Sequence, residues 1–178
     1  MNYRSVDEIF AENDRIREEL LKTLEGMSDP EASTLVEGEK WTIRQIVEHI
    51  AAVDEGSSKV CNMLLKKARN ENRLAAGSIK VSDAFARRIV EAEDENLKAP
   101  ERVAPTGDVS IPESLARMEE NRRRLLEIKP LFERFDGDSD KFPHPVFGEI
   151  SAIEWLVMKG GHEERHTRQI KRLLEKLA

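Results

Sequence analysis

The chain has 178 residues, the size of one ordinary domain and long enough to bury a core without covalent staples. Its formal net charge is −6 with 36% charged residues, which speaks against a basic nucleic-acid footprint and against docking on an anionic membrane surface. Aromatic residues are only 5%, so the core must be mostly aliphatic, as in packed helices.

The single cysteine, Cys61, allows no intrachain disulfide and favours a reducing compartment. No apolar run approaches the ~20 residues that span a bilayer, and Met1 to Phe10 shows no charged-then-apolar leader pattern. These features lead us to expect a single domain over residues 1–178, located in the cytoplasm, with no nucleic-acid or membrane partner.

In chain order, Ser5-Val6-Asp7-Glu8 reads as a capping box. Ile9, Phe10, Ile16, Leu20, Leu21 and Leu24 follow at helical spacing, and the helix should stop near Gly26, before Asp29-Pro30. Thr42-Ile43-Arg44-Gln45 opens a second helix, with Trp41 placed to staple its start. Its apolar stripe (Ile43, Ile46, Val47, Ile50, Val53, then Val60, Cys61, Leu64 and Leu65) carries it to about Asn70. Gly77 to Lys80 reads as a turn and Ser82 to Asn96 as a helix carrying Phe85, Ile89 and Val90. Ala99 to Ile111, with Pro100, Pro105 and Gly107, reads as loop.

Ser110-Ile111-Pro112-Glu113 opens another helix, with Leu115, Met118, Leu125, Leu126 and Ile128 on its buried side and Pro130 expected to end or kink it. A polar loop, Asp136 to Asp140, leads into Phe142-Pro143-His144-Pro145-Val146-Phe147-Gly148. The last helix opens on the capping box Ser151-Ala152-Ile153-Glu154 and runs to the C-terminus. No strand-like alternation is long enough to assign. Four or five helices with short loops predict an all-α four-helix bundle with one or two extra short helices.

The four histidines are His49, His144, His162 and His166. His162 and His166 are four residues apart, which puts both imidazoles on one helix face, one turn apart. His49 lies beside the apolar stripe of the second helix. A bundle would turn these two faces towards one interior, making His49, His162 and His166 candidate ligands of one divalent metal ion. Three imidazoles leave coordination positions open, in the style of a catalytic site. His144, flanked by prolines, reads as a structural loop residue near that site. His162-Glu163-Glu164-Arg165-His166 also matches H-E-x-x-H, in which Glu163 would be the base of a metal-dependent hydrolase. Such peptidases usually take a third ligand downstream; of the twelve residues after His166 none is a histidine and the one acid, Glu175, is expected on the same helix, so this reading ranks second.

Three stretches together resemble the DinB/YfiT-like superfamily (not the DNA polymerase that shares the first name). They are Trp41-Thr42-Ile43-Arg44-Gln45-Ile46-Val47-Glu48-His49-Ile50, the segment His144-Pro145-Val146-Phe147-Gly148-Glu149-Ile150-Ser151, and His162-x-x-x-His166-x-x-Gln169-Ile170. The resemblance covers essentially the whole chain and is loose between Leu74 and Pro112. It implies a four-helix bundle holding one metal, usually nickel or zinc, on His49, His162 and His166. It also implies frequent homodimers, and relatives that are transferases or an isomerase acting with low-molecular-weight thiols such as bacillithiol, mycothiol or glutathione.

Three functions are therefore on the table. The first is a metal-dependent thiol S-transferase with a small-molecule substrate. The second is a metal-dependent hydrolase using Glu163. The third is a non-enzymatic metal-binding or partner-binding bundle. Cys61 sits on the apolar stripe and reads as packing, not as a nucleophile.

Overall fold

A computed structural model describes residues 3–93, 95 and 97–177. Its elements in order are α1 (Val6–Leu24), the one-turn α2 (Asp29–Ala32), α3 (Ile43–Asn70), α4 (Asp83–Glu93) and a 3₁₀ turn (Glu101–Val103). They continue with α5 (Ile111–Arg134), the strands β1 (Lys141–His144) and β2 (Gly148–Ser151), and α6 (Ala152–Leu177). The four long helices α1, α3, α5 and α6 make the bundle: α3 packs on α5 and α6, and α6 also packs on α1. Among the described residues no helix is long and apolar enough to cross a membrane.

The helix starts follow the expected chemistry. Thr42 Oγ1 accepts from Gln45 N–H at 3.2 Å while Gln45 Oε1 accepts from Thr42 N–H at 3.0 Å. Ser110 with Glu113, and Ser151 with Glu154, close the same reciprocal pair. At α1 the box is only half made. Ser5 Oγ accepts from Glu8 N–H, but the Glu8 carboxylate takes the N–H of Arg4 at 2.7 Å, drawn there by the Arg4 guanidinium. A further box at Ser28 and Glu31 caps the short α2.

Several expectations are corrected. β1 and β2 form an antiparallel hairpin in the register Lys141↔Ser151 to His144↔Gly148. Two four-residue strands with Pro143 inside one of them carry too little alternation to be read from sequence. Trp155 on α6 anchors this hairpin, its Nε1–H donating to Phe142 O at 3.3 Å. Of the two outcomes expected at Pro130, an end or a kink, the end does not occur, and α5 continues to Arg134. Pro130 is exposed, and so is Leu126, the residue whose carbonyl loses its donor, so water can satisfy that group. Leu126, expected on a buried side, is 39% exposed, and Leu21 and Val90, read among the apolar positions of their helices, are 45% and 68% exposed. In Leu20-Leu21 and Leu125-Leu126 one residue takes the inward face, and its neighbour is rotated about 100° away. The helix read as Ser82 to Asn96 is α4, Asp83–Glu93; Asn96 lies outside the described residues.

The core falls into two apolar clusters. One holds Ile9, Phe10, Leu65, Phe85, Phe132 and Leu156. The other holds Leu20, Ile43, Ile46, Ile50, Met118 and Ile170. By these memberships α1 and α6 run from the first cluster to the second, and α3 and α5 run the opposite way. Between the clusters every long helix contributes buried polar groups: Arg17 from α1, Asp54, Ser57 and Ser58 from α3, Asn121 from α5, and Lys159, Glu163 and Thr167 from α6. Arg17 meets Glu163 in a two-pronged pair at 2.5 and 2.9 Å, and Lys159 meets Asp54 at 2.8 Å. Two cations thus face two anions in a layer across the bundle.

Candidate metal centre

His49 rises from the second turn of α3, and His162 and His166 from successive turns of α6. Because α3 packs directly against α6, the two helix faces bring the three rings together. Ring centroids are 4.9 Å apart for His49 and His162, 5.0 Å for His49 and His166, and 4.5 Å for His162 and His166. One nitrogen from each ring lies within 4.8 Å of the others, and His49 Nε2 is 3.0 Å from His162 Nε2. His49 is buried, while His162 and His166 keep some exposure, so one side of the cluster is open to water.

Two outward nitrogens, those of His49 and His166, are occupied. His49 Nδ1–H donates to Val103 O at 2.7 Å, and His166 Nδ1–H donates to Gln169 Oε1 at 2.9 Å. Each bond fixes the tautomer and leaves the Nε2 lone pair facing the cluster. Burial lowers the pKa of all three rings. His49 falls below the usual histidine range, His162 well below it with its neighbours' charge adding to the effect, and His166 to about 3. The rings are therefore neutral at physiological pH, the form that binds metals. Lone pairs converging at this distance repel one another unless a proton or cation lies between them, so the donor set suits a divalent ion.

The family profile of the DinB superfamily matches residues 12–170, a span that reaches into all four long helices and contains every clustered histidine. The chain belongs to the DinB superfamily. Among its relatives, the uncharacterized protein YuaE of Bacillus subtilis (strain 168) is 26% identical over 161 residues, covering 90% of this chain and 94% of that protein. In fold it is similar to the crystal structure of TT2238, a four-helix bundle protein. The TM-score is 0.63 at 22% identity, over 94% of this chain and 99% of that one.

Within this DinB-superfamily chain the other sequence candidates are not among the three clustered ligands. His144 turns its Nδ1 to the hairpin, accepting the N–H groups of Val146 at 3.1 Å and Phe147 at 3.3 Å. Its ring stacks near Phe147 and Trp155, and burial followed by the charge of Arg102 lowers its pKa to about 4. The turn it braces ends at Gly148, whose φ of +69° requires glycine. Glu163, although next to His162, is 1% exposed and commits both carboxylate oxygens to Arg17 in the polar layer. Cys61 is 1% exposed, and burial pushes its thiol up to about 12.

Two residues went unread in the sequence. Val103 enters through its carbonyl, which no side-chain pattern announces. Glu48 accepts from Thr106 and Gly107 of the same loop. Its place immediately before His49 was the one available signal. Trp41 also exceeds its expected role, since its ring lies 4.9 Å from that of His49.

Proposed function

We propose that His49, His162 and His166 bind one divalent metal ion and that the chain is a metal-dependent enzyme of the thiol S-transferase type. The observation that carries the reading is the convergence of three neutral imidazoles with two outward nitrogens tied to acceptors. Nickel and zinc both suit such a set, as imidazole is a good ligand for each. When bound, the ion would supply Lewis acidity to a sulfur or oxygen donor on the open side of the cluster.

The chain's own residues support a substrate that brings its own nucleophile. Cys61 is buried with a strongly raised pKa, so it attacks nothing. Glu163 is held by Arg17 and shares the neighbourhood of Lys159, which leaves it ill placed to take a proton from water. A small thiol, with an ordinary pKa of about 8.5, needs only modest help to ionise. Val103 O and Gln169 keep the imidazole lone pairs turned inward, and Trp41 shields His49 on one flank. The half-buried His144, with Nδ1 occupied, retains an Nε2–H donor, and its charge is felt at His162.

The test is metal analysis of protein purified without a histidine tag, followed by S-transfer assays with a panel of small thiols and electrophiles. About one equivalent of zinc or nickel per chain, retained by the native protein and lost in both His49→Ala and His166→Ala, is the expected result. The hydrolase reading predicts that Glu163→Gln abolishes turnover while the metal is kept. Turnover with neither thiol nor ester panels would favour a non-enzymatic metal-binding bundle. Light scattering decides whether the chain forms the homodimer common among its relatives.

A further inference from the structure

Residues 100–110 join α4 to α5 and contain no regular element beyond the turn Glu101–Val103. The segment is nonetheless fastened to the first turns of α3 at adjacent points. Val103 O accepts from His49 Nδ1–H at 2.7 Å. One residue earlier on α3, the Glu48 carboxylate accepts three hydrogen bonds. Thr106 N–H and Thr106 Oγ1–H reach Oε1 at 3.0 and 2.9 Å, and Gly107 N–H reaches Oε2 at 2.8 Å. Glu48 is 8% exposed, and against the cost of burial the Thr106 and Gly107 hydrogen bonds, with the charge of Arg117 adding to them, hold its carboxyl below the usual carboxylate range. Gly107 has φ +85°, and a Cβ there would come within 3.3 Å of Gln45 Nε2, so the strap lies directly on the capped start of α3.

We propose that Glu48 is a positioning residue for the histidine cluster. By gripping Thr106 and Gly107 it holds the carbonyl of Val103, three residues upstream, against His49. That contact keeps His49 in its Nδ1–H tautomer with Nε2 turned to His162 and His166. The purpose of this arrangement rests on the metal-centre reading, but the tautomer itself belongs to the metal-free protein and is measured there. A carboxylate that merely anchored a loop would leave the imidazole's proton where it was.

The experiment is histidine nitrogen NMR on the metal-free protein, with Zn²⁺ affinity measured by competition against a chromophoric chelator at neutral pH. Wild type, Glu48→Ala, Glu48→Gln and Thr106→Val are compared. In the wild type, His49 is expected as the Nδ1–H form. In Glu48→Ala it becomes a mixture of tautomers and Zn²⁺ binds about 10–100-fold more weakly. Glu48→Gln, which keeps one acceptor oxygen for Thr106, recovers part of both. A Glu48→Ala protein that is folded, keeps the wild-type tautomer and binds Zn²⁺ within about threefold of wild type overturns the proposal. Should Glu48→Ala fail to fold, Thr106→Val decides: a partial tautomer shift supports the proposal, and no change in either readout overturns it. If the wild type binds no Zn²⁺ while the tautomer still follows Glu48, the metal-centre reading fails and the positioning role stands.

Discussion

Burial dominates the chemistry of single residues here. Cys61 donates its thiol hydrogen to Ala152 O and has almost no contact with water. A thiol reagent should therefore leave the native protein unmodified and label one equivalent only after denaturation; fast labelling of the folded chain would contradict the packing. The histidines make a pH prediction with a defined sign. Folded His144 and His166 have pKa values of about 4 and about 3, whereas an unfolded imidazole titrates near 6.5. Between those values the unfolded chain binds more protons, so stability is complete above about 6.5 and is lost as pH falls through the folded values. For the metal-free protein we expect the unfolding free energy from urea titrations to drop on acidification below pH ~6.5, by of order 1–3 kcal/mol per histidine. His166→Gln should flatten that slope, and a variant with the wild-type slope would remove this histidine as its cause.

At the scale of elements, the polar layer and one close helix contact set how α1 and α6 dock. Arg17 bridges Glu163 and Asp54, and burial pushes the Asp54 carboxyl above its usual range against the pull of Lys159 and Arg17. Removing one member leaves a buried charge without its partner. Arg17→Met should cost about 3–5 kcal/mol in chemical denaturation. Glu163→Gln should destabilise too, while leaving the three imidazoles in place, so stability and turnover, compared at unchanged metal content, separate its structural role from a catalytic one. Nearby, a Cβ on Gly160 would run into Asn13 Oδ1, and the Asn13 amide donates to Leu156 O at 3.1 Å. Gly160→Ala should cost about 1–3 kcal/mol by overpacking. Part of that loss should return when Asn13→Ala is added, a coupling measurable in a double-mutant cycle.

Across the whole molecule, the histidine cluster ties α3 to α6, helices separated in sequence by α4 and α5. An ion bound there would stabilise only the folded chain, by about 2.7 kcal/mol at a hundredfold excess over Kd. Thermal unfolding with Zn²⁺ and with a chelator should differ accordingly, and the difference should vanish in His49→Ala. The four long helices are legible in the sequence, because 3.6-residue periodicity and reciprocal caps such as Thr42–Gln45 are local signals written within a few residues. The one-face spacing of His162 and His166 was legible for the same reason. The hairpin Lys141–Ser151, the grip of Glu48 on residues 106 and 107, and the pairing of Arg17 with Glu163 were not. Each joins groups whose meeting depends on where the chain returns after other elements have packed. Sequence alone determined which residues form helices and which faces carry imidazoles. Tertiary structure decided what those faces meet, turning Glu163 into the polar layer and bringing a loop carbonyl to His49, because side-chain periodicity encodes direction on a helix but not the identity of its neighbour.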